Sequence, residues 1–348
     1  MSRYAEVHKL TNLRGPGDAR PTAIQVVQDE DLVGKLTDKT ILVTGISSGI
    51  GLETMRALHI TGAHVYGTVR NLSKGQAVID QILAEKHAGG GKLDLIEMHL
   101  DSLASVRSAA QDFLAKTGRK VNIVIGNAGI MAAPYSLTSD GFEQQFATNH
   151  LAHFLLFQLL KPALLSSATP AFPSRYVSVS SAGHIFSSIN FADINFTNGG
   201  YEPWRAYAQS KTGNIWLANT IERKYSSQHL HATSVHPGGI PEGSNLARHV
   251  DRAALEQMFG DADTQRTFKS AAQGAATQVW AAIGREWKDK GGRYLASMAE
   301  QKSYEERKGE EGMFDNANEG FAEWVYDPDG EERLWKESLG MVGLEGKD

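Results

Sequence analysis

The 348 residues carry 35 basic and 40 acidic side chains, a net charge of -5, and no cysteine. This excludes disulfides, thiolate metal centres and cysteine nucleophiles. It gives no electrostatic reason to expect nucleic acid or an anionic membrane as partner. A chain of this length can bury a sizeable core, as one large domain or two small ones. No apolar run reaches the roughly 18 residues that span a bilayer, and the first residues lack a secretory pattern, so the expected location is cytoplasmic.

Residues 1–36 are polar and broken by Gly15-Pro16-Gly17 and Pro21; they read as an extension. Short β-rich runs then recur at 40–44, 63–69, 93–99, 121–126, 174–180, 231–236 and 293–298. Helical spacing occupies 50–61, 73–87, 103–116, 140–165, 204–226 and 266–286. The alternation predicts an α/β fold over residues 37–300: a single Rossmann-type, doubly wound parallel sheet of about seven strands with helices on both faces. Residues 239–265 read as an irregular substrate loop. Residues 301–348 read as an irregular, charged tail, expected on or near the substrate side. In such sheets ligands bind beyond the carboxyl ends of the strands, at the switch point.

Two strings carry chemistry. The run Ile41-Leu42-Val43 leads into Thr44-Gly45-Ile46-Ser47-Ser48-Gly49-Ile50-Gly51, a strand, a glycine turn and a helix start. That is where a dinucleotide pyrophosphate sits. Gly45 makes the tight turn, Gly49 admits phosphate and Gly51 allows helix and strand to pack closely. Much further on, Tyr207-Ala208-Gln209-Ser210-Lys211 places a phenol and an ammonium on one helix face. Upstream of it a strand ends in Ser180-Ser181, and downstream another ends in His236-Pro237-Gly238-Gly239. The second strand ends at Arg70-Asn71, with no acidic residue to hold a ribose 2′-hydroxyl. Arg70 instead offers donors suited to a 2′-phosphate. The turn itself holds no basic residue, so Arg70 is expected to act with little help.

Taken together these residues resemble the short-chain dehydrogenase/reductase family over roughly residues 38–300. The resemblance rests on the 44–51 turn, Asp101, Asn127-Ala128-Gly129, Asn149, Ser181, Tyr207, Lys211 and Pro237-Gly238, in the family's order. Thr148-Asn149-His150-Leu151-Ala152-His153-Phe154 is most similar to the retinol-dehydrogenase-like branch, and the lead-in Arg20-Pro21-Thr22-Ala23 to fungal members of it. The resemblance implies an NADP(H)-dependent oxidoreductase, with NADP(H) preferred to NAD(H), that interconverts a ketone or aldehyde and an alcohol in secondary metabolism. It implies Tyr207 as general acid and base, Ser181 on the carbonyl oxygen, Lys211 on the ribose and lowering the Tyr207 pKa, and Asn149 in the proton relay. Ser180 is the alternative serine. The implied cofactor contacts are Gly45, Ser47, Ser48, Gly49, Ile50, Gly51, Arg70, Asn71, Asp101, Ser102, Asn127, Ala128, Gly129, Tyr207, Lys211, Pro237 and Gly238. A homodimer through the Leu151–Leu165 helix and the Tyr207 helix is implied as well. Gly126 departs from the family's first asparagine, which weakens a structural hydrogen bond, and an insertion at 190–204 reshapes the substrate wall.

Rival readings exist. Gly45-Ile46-Ser47-Ser48-Gly49 also fits G-x-S-x-G, with Ser47 as a hydrolase nucleophile. It follows the first strand, however, and Gly51 has no purpose there. The scaffold also admits a non-redox or epimerising step, or a cofactor-sensing binding protein, which would have no need of Asn149, Ser181, Tyr207 and Lys211 together. His150 and His153 lack a third ligand and read as packing, with no metal expected. His184 reads as a substrate contact or a loop histidine. Tyr304 and Lys308 repeat the Tyr-xxx-Lys spacing, but Lys308 lies in the charge run 305–311, which reads as solvated. Phe186, Phe191, Phe196, Tyr201 and Trp204 suggest a bulky apolar small-molecule substrate or loop packing.

Overall fold

The structure, a computed structural model, describes residues 2–243, 245–307 and 319–346. Its strands are β1 (Thr40–Thr44), β2 (His64–Val69), β3 (Leu93–Glu97), β4 (Ile123–Gly126), β5 (Ser174–Val179), β6 (Leu230–His236), β7 (Tyr294–Ala296) and β8 (Ala299–Glu300). They form one sheet in the order β3-β2-β1-β4-β5-β6-β7-β8. Every pairing is parallel except the last. The eighth strand, absent from the sequence reading, is a two-residue antiparallel return. The order reverses between β1 and β4, which fixes the switch point.

The helices are α1 (Ala23–Asp29), α2 (Gly49–His59), α3 (Leu72–Ala84), α4 (Leu103–Lys116), α5 (Gln144–Phe146), α6 (Ala152–Ser167), α7 (Pro203–Tyr225), α8 (Arg252–Phe259), α9 (Ala262–Thr267), α10 (Ala271–Gly274), α11 (Ala276–Ile283) and α12 (Pro328–Met341). Strand side chains alternate between the two faces. Ile41, Val43, Ile123 and Ile125 join the core under α1, α2, α3 and α11. Leu42 and Val124 join the core under α4, α6, α7 and α12. Among the described residues no helix is long and apolar enough to cross a membrane.

Several expectations are corrected. The 1–36 extension contains α1, which buries Ala23, Val26 and Val27. The 140–165 helix runs over 144–167 and contains a π-helical turn at Ala147–Leu151, between α5 and α6. The 266–286 segment is divided among α9, α10 and α11. The substrate loop contains α8, and the tail is helical over α12, which buries Leu334, Trp335 and Leu339. Trp335 meets Phe154 of α6 edge-on with ring centres 5.1 Å apart, and Asn219 of α7 donates to Glu331 at 2.8 Å. Helix α12 thus packs on α6 and α7 of the same chain.

Candidate active site

The glycines at the end of β1 are dictated by contact. Gly45 and Gly49 have φ of +73° and +62°, a region that favours glycine. A Cβ on Gly45 would lie 2.7 Å from the Ala128 Cβ; one on Gly51 would lie 2.6 Å from Asn127 Nδ2 and clash with the Gly45 carbonyl oxygen. Ser48 is the extended N-cap of α2, yet its side chain accepts no bond from the helix. The first amides of α2 therefore keep their capacity to bind an oxyanion, and the cradle fits a dinucleotide pyrophosphate. Asn127 ties the turn down, donating from Nδ2 to Thr44 O at 2.8 Å and to Gly45 O at 3.3 Å.

Thr44 Oγ1 accepts from the amides of Asn127 and Ala128, both at 2.9 Å. Its own proton goes to His153 Nε2 at 2.9 Å. His153 Nδ1 then donates to the Asn149 carbonyl at 3.0 Å. This chain fixes the tautomer and joins the cofactor turn to the π-helical turn. A Cβ on Gly126 would lie 3.1 Å from His153 Cδ2, so the missing asparagine makes room for the ring. His153 bonds Thr44 across the space that Gly126 leaves open. Burial lowers the His153 pKa to about 4, which suits this neutral role and leaves neither nitrogen for a metal.

At the far end of β2 Arg70 is exposed. Arg248, from the loop after β6, lies near enough that its pKa is pushed down by burial and then by the Arg70 charge. Asn71 and Ser102 have structural work, capping α3 and α4 through bonds from Lys74 N at 2.9 Å and Ser105 N at 3.3 Å. Asp101 and Ser47 are exposed. Among the described residues Ser47 has no hydrogen bond to a histidine, so nothing activates it as a nucleophile.

The expected catalytic residues converge beyond β4 and β5. Tyr207 and Lys211 lie one turn apart on α7 and are each 3% exposed. Lys211 Nζ donates to Val179 O at 3.1 Å and lies 5.5 Å from the Tyr207 ring centre. A Cβ on Gly129 would lie 3.0 Å from Asn149 Oδ1 and 3.4 Å from Lys211 Nζ. Asn149 accepts from Ile130 N at 2.8 Å and donates to Ile130 O and Ser210 Oγ at 2.9 Å. Ser180 Oγ donates to Lys211 O at 2.8 Å and is thereby consumed. Ser181 stands beside the phenol: its Oγ accepts from Gly183 N at 3.0 Å and its hydroxyl bonds to Tyr207.

Burial raises the Tyr207 pKa to about 12, with a hydrogen bond to Ser181 pulling the other way. The expectation that Lys211 lowers it below the free value is corrected: desolvation of the phenolate dominates. Burial lowers Lys211 itself to about 8.

His184 is neither a substrate contact nor a free loop residue. Its Nδ1 donates to Ser181 O at 2.7 Å, and its Nε2 accepts from Ala322 N at 3.2 Å. The tail segment 319–326 is thus pinned to the serine loop, and the charged-tail reading missed it. Trp204 stands edge-on to Tyr207, with ring centres 6.3 Å apart, and Phe186 is exposed. Phe196 is buried against Tyr201, and Phe191 stacks on Trp216. These last three are packing. Tyr304 is half-buried beside Gly320, and Glu305 and Glu306 of the charge run are exposed. Lys308 and residues 309–311 lie outside the described residues.

With this geometry in place, comparison with known proteins is informative. The family profile described as short chain dehydrogenase matches residues 39–252. The chain belongs to that family. It is 46% identical to "Short-chain dehydrogenase/reductase prx1" of Penicillium roqueforti, over 95% of this chain and 92% of that one. It is 41% identical to "Oxidoreductase calI" of Penicillium decumbens, over 100% and 99%. Among solved structures it is similar to the RhlG/NADP active-site complex of Pseudomonas aeruginosa. There the identity is 25% and the TM-score 0.59, over 76% of this chain and 96% of that one. The protein is therefore an enzyme of an oxidoreductase family that uses NAD(P) and acts on small molecules, similar to fungal members.

Proposed function

We propose that the chain is an NADP(H)-dependent oxidoreductase that interconverts a ketone or aldehyde and an alcohol on a bulky apolar small molecule. Tyr207 is its general acid and base. The observation that carries this reading is the convergence of Tyr207, Ser181, Lys211 and Asn149 on the sheet edge that also holds the open N-terminus of α2. The cofactor, when bound, supplies or accepts the hydride. Gly45, Ser47, Ser48, Gly49, Ile50 and Gly51 would hold its pyrophosphate. Arg70, with Arg248 beside it, would take the 2′-phosphate, in keeping with the NADP in the RhlG complex.

Tyr207 stays protonated at neutral pH because burial disfavours the phenolate. It can therefore give its proton to the substrate oxygen during reduction. Ser181 points a second donor at the same oxygen, where negative charge develops. In the oxidative direction Tyr207 must first lose its proton, against the desolvation that holds it protonated. Trp204 and Phe186 offer apolar surface to a large substrate. The test is NADPH consumption by the purified chain against a panel of bulky ketones and aldehydes, with the alcohols and NADP⁺ in reverse. Turnover of a bulky carbonyl is expected. Failure to bind either dinucleotide, or to turn over any carbonyl or alcohol, overturns the reading.

A further inference from the structure

Just beyond β5 the chain turns at Ser181 into a short 3₁₀ helix over Ala182–Phe186. That turn lies flush against Tyr207. A Cβ on Gly183 would be 3.1 Å from Tyr207 Cε1 and 3.4 Å from Ser181 Oγ, so an added side chain would have to push the ring aside. Any movement of the turn therefore shifts Ser181 relative to the phenol.

His184 holds this turn through both nitrogens of its ring. Nδ1 donates to Ser181 O at 2.7 Å, beside the bond from His184 N to the same oxygen at 3.1 Å. Nε2 accepts from Ala322 N at 3.2 Å. A neutral imidazole offers one donor and one acceptor, and both are spent here. The ring is fully buried and meets Tyr294 edge-on, with ring centres 5.0 Å apart. The tail that supplies Ala322 is itself anchored to α7. Trp216 Nε1 donates to Trp324 O and Asn219 Nδ2 to Val325 O, both at 2.8 Å. Trp324 Nε1 donates to Thr212 Oγ1 at 3.4 Å, and Thr212 Oγ1 donates to Ser187 O at 2.8 Å. The residues from Ala322 to Val325 thus form a post on the helix that carries Tyr207, and His184 ties the serine turn to that post.

We propose that His184 is a positioning residue that sets Ser181 against Tyr207, and that the tail segment 319–326 thereby forms part of the machinery for carbonyl reduction. This rests on the oxidoreductase reading above. It goes beyond that reading by giving work to a segment 138 residues away from His184. The physical reason is tolerance. Two donors to one substrate oxygen act together only when each is held within about 0.5 Å of its productive place. Without the Ala322 amide nothing fixes the far side of the His184 ring, and the turn that carries Ser181 loses its tie to α7.

Two variants of the full chain test it. His184→Phe keeps a buried ring and loses both bonds. Ala322→Pro removes the amide proton that Nε2 accepts, at a φ of -72° that proline adopts. In each, kcat for NADPH-dependent reduction of a bulky carbonyl should fall by roughly tenfold to a hundredfold, the cost of misplacing a reacting group. KM should stay nearly unchanged, because the loss is felt in the transition state, and so should the dissociation constant for NADPH. The double variant should lose no more than His184→Phe alone, since both cut the same tie. Amide hydrogen exchange across 319–326 should quicken in His184→Phe. Unchanged exchange overturns the proposal. So does a normal kcat in either variant; if the melting temperature falls while kcat is kept, His184 is a structural residue only. A kcat loss matched by an equal loss of NADPH affinity overturns it too, since general distortion would produce that. A wild-type protein that turns over no carbonyl or alcohol overturns the oxidoreductase reading itself, and this inference with it, whereas an active wild type beside an active His184→Phe overturns the inference alone.

Discussion

The two sides of the active-site edge are built by opposite means. On the catalytic side polar groups are already engaged within the chain. Asn149 is bonded through both side-chain atoms, Ser180 is consumed by Lys211 O, and His153 and His184 are each bonded at both ring nitrogens. On the cofactor side groups are left open: Ser48 caps α2 without a bond to it, and Arg70 is exposed. The contrast follows from what each side must do. A proton donor has to be held in one geometry before substrate arrives, whereas a charged ligand is recognised by unfilled hydrogen-bonding capacity that it completes.

The sharpest way to break the comparison is Tyr207→Phe, which removes one proton and keeps the ring. Turnover should fall by at least ~10²-fold, typical of lost acid–base catalysis, with NADPH affinity nearly kept. Steady-state rates and a binding titration on the same sample decide it, and near-normal turnover sinks the assignment.

The saturated side should also fail in acid. Burial lowers His150, His153 and His184 to about 3, 4 and 4, against about 6.5 in an unfolded chain. Between those values the unfolded state binds more protons. The stability contributed is therefore full above about pH 6.5 and lost as pH falls toward 4. A melting temperature that drops steeply from pH 7 to 4.5 is expected; a flat profile would refute the buried-neutral assignment.

The open side should respond in selectivity rather than rate. NADPH should bind tighter than NADH by roughly tenfold to a hundredfold, and Arg70→Asp should reverse the order. Calorimetric titration of both cofactors measures this, and equal or tighter NADH binding to the wild type removes Arg70 from the role. Smallest of all is Ser47→Ala. It should leave an active reductase whose cofactor affinity is weakened by about threefold, a lost hydrogen bond of ~0.5–1 kcal/mol. Covalent labelling of Ser47 by a fluorophosphonate would instead revive the hydrolase reading.

Residues whose role follows from local pattern were legible in the sequence. The β1 run, the glycine spacing and the Tyr207/Lys211 pair each declare themselves within a few positions, because strand alternation and helix periodicity are local. The positions of His153 and His184 are set by partners far away in the chain. His153 reads as packing until Thr44, 109 residues earlier, is seen to meet it. The π-helical turn at Asn149 has no compositional mark, since a helix with one extra residue keeps nearly the same apolar pattern. The helix α12 was missed because charges on its exposed face mask the buried stripe of Leu334, Trp335 and Leu339.

The opening residues are tied to the end of the substrate loop, and that has a consequence for biosynthesis. Arg20 donates to Thr267 O at 2.7 Å and also to Phe268 O, and Gly17 N donates to Gln273 Oε1 at 2.9 Å. Arg20 and Thr267 are 247 residues apart. At roughly 5–20 residues per second, about 12–50 s separate the synthesis of Arg20 from that of its partner. Throughout that interval α1 holds Val26 and Val27 with α11 not yet made. A segment made early is thus among the last to reach its final place.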